Sequence, residues 1–165
     1  MKRDIYKNKV FLIKNKYQQD KRGFFLKLKK NDFQNFQNCF SYNKKKSTIR
    51  GLHFQKYPSR EIKIITCLKG SIFDVVVNIN KKSKNYLKWY SFKLNEKNKH
   101  SLYVGKDYAH GFMTLEDNTI VSYQILGNYI SKYQAGLLWC DSKIGIKWPH
   151  KPKIISNRDK NFLNI

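Results

Sequence analysis

At 165 residues, with 41% hydrophobic and 15% aromatic content, the chain suits one domain over positions 1–165 and is too rich in Phe, Tyr and Ile for a disordered segment. No apolar run approaches the roughly 20 residues of a membrane helix, and the charged start Met1-Lys2-Arg3-Asp4 carries no secretory leader, so a cytoplasmic location is expected. The net charge of +23 is nearly all lysine, with five Arg among 34 basic residues. Only Lys44-Lys45-Lys46 resembles a cluster, so the charge reads as compositional rather than as a nucleic-acid footprint, while still favouring an anionic substrate.

Taken in order, the segments predict an all-β chain. Lys9–Lys14 reads as a strand, Gln18–Gly23 as a polar turn and Phe24–Leu28 as a second strand, with one short helical turn over Asp32–Phe36. Ile62–Leu68 and Ser71–Ile79 are β-branched runs split by Lys69-Gly70, a hairpin signal. Leu87–Leu94 and Ser101–Val104 flank the turn Asn95–Asn98; Phe112–Leu115 and Thr119–Leu126 flank Glu116–Asn118. Short strands with a turn about every ten residues predict a sandwich or barrel. From Pro149 onward an irregular tail is expected to lie over it.

Several chemistries lack their motifs. There is no Gly-rich dinucleotide or phosphate loop and no Gly-x-Ser-x-Gly elbow. Cys39, Cys67 and Cys140 are an odd, widely spaced set, unsuited to a disulfide framework or structural zinc. His53-Phe54-Gln55 offers one imidazole where a barrel metal site would need two, so no metal is expected, although His53 and His110 could converge in space. The remaining His, Tyr, Lys, Asp and Arg suit proton transfer on an anionic substrate.

Three segments carry this set: Arg50-Gly51-Leu52-His53-Phe54-Gln55 with Lys63 ten residues beyond the His, Gly70–Val77 with Asp74, and Ala109-His110-Gly111-Phe112 followed by Tyr123 and Tyr129. With Ile144–Pro149 and Ser156-Asn157-Arg158-Asp159, they resemble the dTDP-4-dehydrorhamnose 3,5-epimerase family from about Asp20 to Asp159. The resemblance implies a cupin-like jelly roll, a homodimer, and cofactor-free epimerisation at C3 and C5 of a nucleotide-linked 4-keto-6-deoxy sugar. It assigns His53 as base, Asp159 as its carboxylate partner, Lys63 as the cation near the enolate and Tyr123 as the opposing acid. It places Arg22 and Arg50 on the diphosphate, His110 on the substrate, Tyr129 near the nucleotide base and Asp74 facing inward, pairing with Lys63. His100 and His150 are expected at the surface.

The pattern departs from the family at three recognition positions. Lys27 and Gln134 stand where the family has Glu, and Cys39 stands for Asn in the stretch Gln37-Asn38-Cys39-Phe40-Ser41. Losing two carboxylates should make the site more positive and leaves the nucleotide and sugar open. A C3-only epimerase and a non-catalytic sugar-nucleotide barrel are the alternative readings.

Overall fold

Two antiparallel sheets face each other, and the C-terminal segment covers the outer side of one. The structure is a computed structural model and describes residues 9–21, 23–26 and 36–165. Its strands are β1 (Val10–Lys14), β2 (Tyr17–Asp20), β3 (Gly23–Leu26), β4 (Phe36–Asn43), β5 (Thr48–Gln55), β6 (Ile62–Lys69), β7 (Ser71–Asn78), β8 (Trp89–Asn95), β9 (His100–Val104), β10 (Tyr108–Thr114), β11 (Thr119–Leu126), β12 (Gln134–Gly136) and β13 (Ile154–Ile155). A 3-10 turn covers Ser131–Tyr133, and α1 (Asn157–Lys160) is a single helical turn. One sheet runs β1-β9-β6-β11-β4 and the other β12-β5-β10-β7-β8, while β2 and β3 pair separately.

The main core lies between the sheets. Ile65, Cys67, Leu102, Val104 and Val121 of the first meet Ile72, Val76, Leu94 and Phe112 of the second. The second sheet's outer face carries Leu52, Val75, Val77 and Ala109, covered by Leu137, Ile144, Trp148 and Ile165 from the C-terminal segment. β7 is therefore buried on both faces, which explains its continuous run of apolar residues.

The expectations for β1, β6, β7, β8, β9, β10 and β11 hold to within a few residues, apart from the β10 start. The hairpin read at Lys69-Gly70 does not form. β6 pairs with β9 and β11, whereas β7 pairs with β8 and β10. Gly70, at φ +77°, passes the chain from one sheet to the other, and a Cβ there would meet Thr119 Oγ1 at 2.6 Å. A tight turn signal reports local curvature and not which sheet the next strand joins. The polar turn read at Gln18–Gly23 is shorter than expected, because Gln18–Asp20 pair with Gly23–Phe25 in the β2–β3 ladder. The helical turn expected at Asp32–Phe36 falls mainly outside the described residues, and Phe36 opens β4. The tail is not wholly irregular. β13 adds parallel to β5 at Thr48 and Ile49, and α1 follows. No helix among the described residues is long and apolar enough to cross a membrane.

Candidate active site

The cavity, about 400 Å³, opens between β4, β5, β6, β10 and β11 and is lined by Arg50, His53, Lys63, His110 and Tyr123 among others. Alternation sends the side chains of β4, β6, β10 and β11 inward, whereas Arg50 and His53, three residues apart on β5, both reach the cavity across the register shift beside Gly51. On β4, Gln37, Cys39 and Ser41 share the inner face, while Phe40 and Tyr42 point out, 68% and 57% exposed.

Two glycines bring the histidines together. His53 and His110 are register partners across β5 and β10. Beside them Gly51 (φ +129°) and Gly111 lie back to back: a Cβ on Gly51 would meet Gly111 Cα at 2.5 Å, and one on Gly111 would meet Arg50 O at 2.7 Å. Only hydrogen at both positions permits this approach.

The tail supplies the partner of His53. β13 docks on β5, and Ser156 caps α1 by accepting from Asp159 N at 3.1 Å. This sets Asp159, 2% exposed, under the imidazole. His53 Nε2–H donates to Asp159 Oδ1 at 2.8 Å, and Gly51 N–H donates to Oδ2 at 3.1 Å. Arg158 Nε donates to Oδ1 at 3.3 Å, and its Nη2 lies 3.1 Å from His53 Nε2. That nitrogen cannot donate to Asp159 and accept from Arg158 at once, and the shorter contact to the carboxylate fixes its proton. Phe162 packs edge-on against the imidazole, 5.9 Å between centroids.

The electrostatics set the histidine and the tyrosine apart. Burial is the largest influence on His53 and lowers its pKa. Asp159 opposes this, Arg158 and Lys63 add to it, and the net lies below 6.5. The imidazole is thus neutral at pH 7. Burial would raise Asp159, but the hydrogen bond and charge of His53, the Gly51 N–H and Arg158 outweigh it and hold the carboxyl at about 2. Burial also pushes the Tyr123 phenol well above its usual value, against smaller lowering by Ser41 and Arg50. The phenol therefore keeps its proton at neutral pH.

Asp74 does not pair with Lys63 as expected. It is completely buried on β7 and accepts from His110 Nε2–H through both oxygens, at 2.9 and 3.1 Å. Burial raises its carboxyl, with His110 and Lys63 pulling the other way. Lys63 instead meets Glu61 Oε1 at 2.8 Å, and its Nζ lies 3.5 Å from the carbonyl of His53.

The cavity also gathers most of the expected recognition residues. Gln37, Cys39, Arg50, His110, Tyr129 and Gln134 all line it, and Tyr129 Oη–H donates to Gln134 Oε1 at 2.9 Å. Arg22 and Lys27 lie outside the described residues. Ser41 and Glu61 line the cavity too and were not singled out from the sequence. Glu61 sits two residues from Lys63 on the same face of the chain, a spacing that could have flagged it. It returns one carboxylate to a site expected to be more positive. His100 is half-buried and His150 exposed. No group of three or more His, Cys, Asp or Glu among the described residues is placed to hold a metal ion.

Fold and cavity together define a jelly roll with an acid–base site for an anionic, oxygen-rich small molecule. Comparison with known proteins makes the class specific. The family model of dTDP-4-dehydrorhamnose 3,5-epimerase matches residues 6–165. The chain is 40% identical to the dTDP-4-dehydrorhamnose 3,5-epimerase of Sinorhizobium fredii over 115 residues, 69% of this chain and 59% of that protein. It is 33% identical to the Salmonella typhimurium enzyme of that name over 150 residues, 85% of this chain and 81% of that one. The crystal structure of the Bacillus anthracis dTDP-4-dehydrorhamnose 3,5-epimerase, with TDP and PPi bound, superposes with a TM-score of 0.90 at 34% identity, covering 94% of each chain. The chain belongs to the dTDP-4-dehydrorhamnose 3,5-epimerase family. Its matches span about three fifths of the length of some curated relatives, 59% for Sinorhizobium fredii and 64% for Shigella flexneri.

Proposed function

We propose that this chain epimerises C3 and C5 of a nucleotide-linked 4-keto-6-deoxy sugar, converting dTDP-4-dehydro-6-deoxyglucose to dTDP-4-dehydrorhamnose without a cofactor. The observation that carries the reading is one cavity holding an imidazole kept neutral and a phenol kept protonated. Environments that push two titratable groups apart mark a base and an acid.

In this reading the C4 ketone acidifies the neighbouring C–H bonds. His53 takes the proton, the C–H electron pair moves into the enolate, and its charge settles on O4 near the Lys63 ammonium. Tyr123 then gives its phenolic proton to the opposite face of the carbon, which inverts it. The imidazolium loses its proton to water and the phenolate regains one from water. Asp159 orients the imidazole and stabilises its charged form, as the carboxylate of a catalytic triad does.

Arg50, with Arg22, is assigned to the diphosphate, for which a guanidinium fork is suited. His110 contacts the sugar, Tyr129 stacks on the base, and Gln37, Cys39, Gln134 and Lys27 complete recognition. TDP in the Bacillus anthracis relative supports a thymidine nucleotide. A homodimer in the cytoplasm, each chain one epimerase domain over 1–165, completes the reading.

The test is hydrogen exchange in heavy water with dTDP-, UDP-, GDP- and CDP-linked 4-keto-6-deoxy sugars. Label at C3 and C5 with inversion of both, fastest for dTDP, is expected. Label at C3 alone would replace the double epimerase by the C3-only enzyme, and no label with tight binding would leave a binding barrel.

A further inference from the structure

A line of hydrogen bonds ends on the Tyr123 phenol and has one direction as far as Ser41. Arg50 Nε donates to Asn43 Oδ1 at 2.7 Å. Asn43 Nδ2 donates to Ser41 Oγ at 3.3 Å, and Ser41 Oγ lies 3.2 Å from Tyr123 Oη. A guanidinium only donates. Asn43 must therefore turn its carbonyl oxygen to Arg50 and its amide N–H to Ser41. Donation to Thr119 O at 3.2 Å pins it that way, and the residue is 2% exposed. Ser41 Oγ accepts from Asn43 and keeps its one proton for a further partner, and its contact with Tyr123 Oη can run in either direction. When Ser41 donates, the phenol accepts and its own O–H points away from the line.

We propose that Ser41 and Asn43 are positioning residues for Tyr123. The line Arg50→Asn43→Ser41 aims the phenolic proton at the substrate carbon and stabilises the phenolate left behind. The inference rests on the acid role given to Tyr123 above. In the step concerned, the phenol O–H bond breaks and a C–H bond forms at the enolate carbon as O4 regains its carbonyl double bond. The negative charge passes from O4 to the phenolate, where the Ser41 hydroxyl donates to it. Hydrogen bonds to charged oxygens are the stronger ones, so losing this one should slow donation roughly ten- to hundredfold.

A partition measurement in heavy water tests it. His53 can remove a proton, exchange it with solvent and return a deuteron to the same face. Each enolate thus ends either as labelled substrate of retained configuration or as inverted product. Ser41→Ala should slow inversion roughly ten- to hundredfold while labelling of retained substrate persists. The ratio of label to inversion then rises, with KM near wild type, and Ser41→Thr should bring the ratio back.

Asn43→Asp is the second variant. Its carboxylate would accept from both Arg50 and Ser41, drawing the serine proton off the phenol, so the ratio should rise again. If Ser41→Ala and Asn43→Asp keep the wild-type ratio while Tyr123→Phe raises it, Tyr123 is the acid and the line plays no part. If Ser41→Ala lowers labelling and inversion equally, Ser41 only shapes the site, and the proposal also fails. If Tyr123→Phe inverts normally, the acid assignment itself is wrong.

Discussion

Two histidine–aspartate pairs stand side by side at this cavity, alike in their hydrogen bonds and different in their surroundings. His53 and His110 are cross-strand neighbours, and each donates from Nε2 to a carboxylate, at 2.8 Å in one pair and 2.9 and 3.1 Å in the other. Asp159 arrives on the C-terminal tail and is ringed by donors, the Gly51 N–H and Arg158 besides His53, which hold it at about 2 despite burial. Asp74 projects from a strand covered on both faces, has His110 as its hydrogen-bond partner among the described residues, and is raised by burial. A quarter of the His53 side chain remains exposed against 5% of His110. The number of donors around each carboxylate, and not the pair itself, separates an imidazole backed by a firm anion from one fixed in orientation.

That contrast breaks most sharply at His53. His53→Ala should abolish both labelling and inversion, a loss of about 10³-fold or more, because no other group described in the cavity is set as a neutral base. Heavy-water exchange checks it. A His53→Ala enzyme that still labelled C3 would move the base to His110 and reverse the comparison.

Asp159→Asn should cost about 10²-fold in kcat/KM, since an amide can hold the imidazole but cannot stabilise its charge. It also carries a signed pH effect. Asp159 raises the His53 pKa, so its neutralisation lowers that pKa further. With His53 as the base, the acid limb of kcat/KM is expected below 6.5 in the wild type. In Asp159→Asn it should move to still lower pH. An unmoved limb in the pH–rate profile would show that the carboxylate does not act on the base.

Asp74→Asn sharpens the same comparison from the other side. The amide oxygen can still accept from His110 Nε2–H, so turnover should fall less than about tenfold and the acid limb should stay in place. A loss as large as that of Asp159→Asn would give the buried pair a share in proton transfer.

How far the sequence carried this site follows from where each residue lies. Lys63, His110 and Tyr123 follow period-two alternation, His53 turns inward with Arg50 across the β5 irregularity at Gly51, and all four reach the cavity. The strands themselves were legible as β-branched runs, but the sheet each joins was not, because the arch at Gly70 and a hairpin share one turn signal. β4 and β5, with sequences Phe-Gln-Asn-Cys-Phe-Ser-Tyr-Asn and Thr-Ile-Arg-Gly-Leu-His-Phe-Gln, show weak strand patterning because their inner faces carry polar site groups instead of core. The Asp74 partner was misjudged because a buried carboxylate needs some donor, and the sequence places neither His110 nor Lys63 in three dimensions. Ser41 and Glu61 act through neighbours, and contacts of that kind carry no motif.

The smallest expected effect is thermodynamic, and it sets the two carboxylates against each other. Asp159 has its native pKa at about 2, below the ordinary 3.8, so the unfolded chain binds that proton more readily. Its stabilisation is complete above 3.8 and is lost as pH falls through about 2, on the order of 2 kcal/mol across that window. Asp74 is raised in the native state, so there the folded chain binds the proton more readily, and its contribution runs the other way, diminishing as pH rises through the native pKa. Denaturant unfolding measured from pH 5 to 2 should therefore be less steeply pH-dependent for Asp159→Asn than for wild type, and steeper for Asp74→Asn above the ordinary 3.8. Equal slopes for wild type and Asp159→Asn would mean that the Gly51 and Arg158 donors do not hold the anion, and the distinction between the two pairs would then rest on exposure alone.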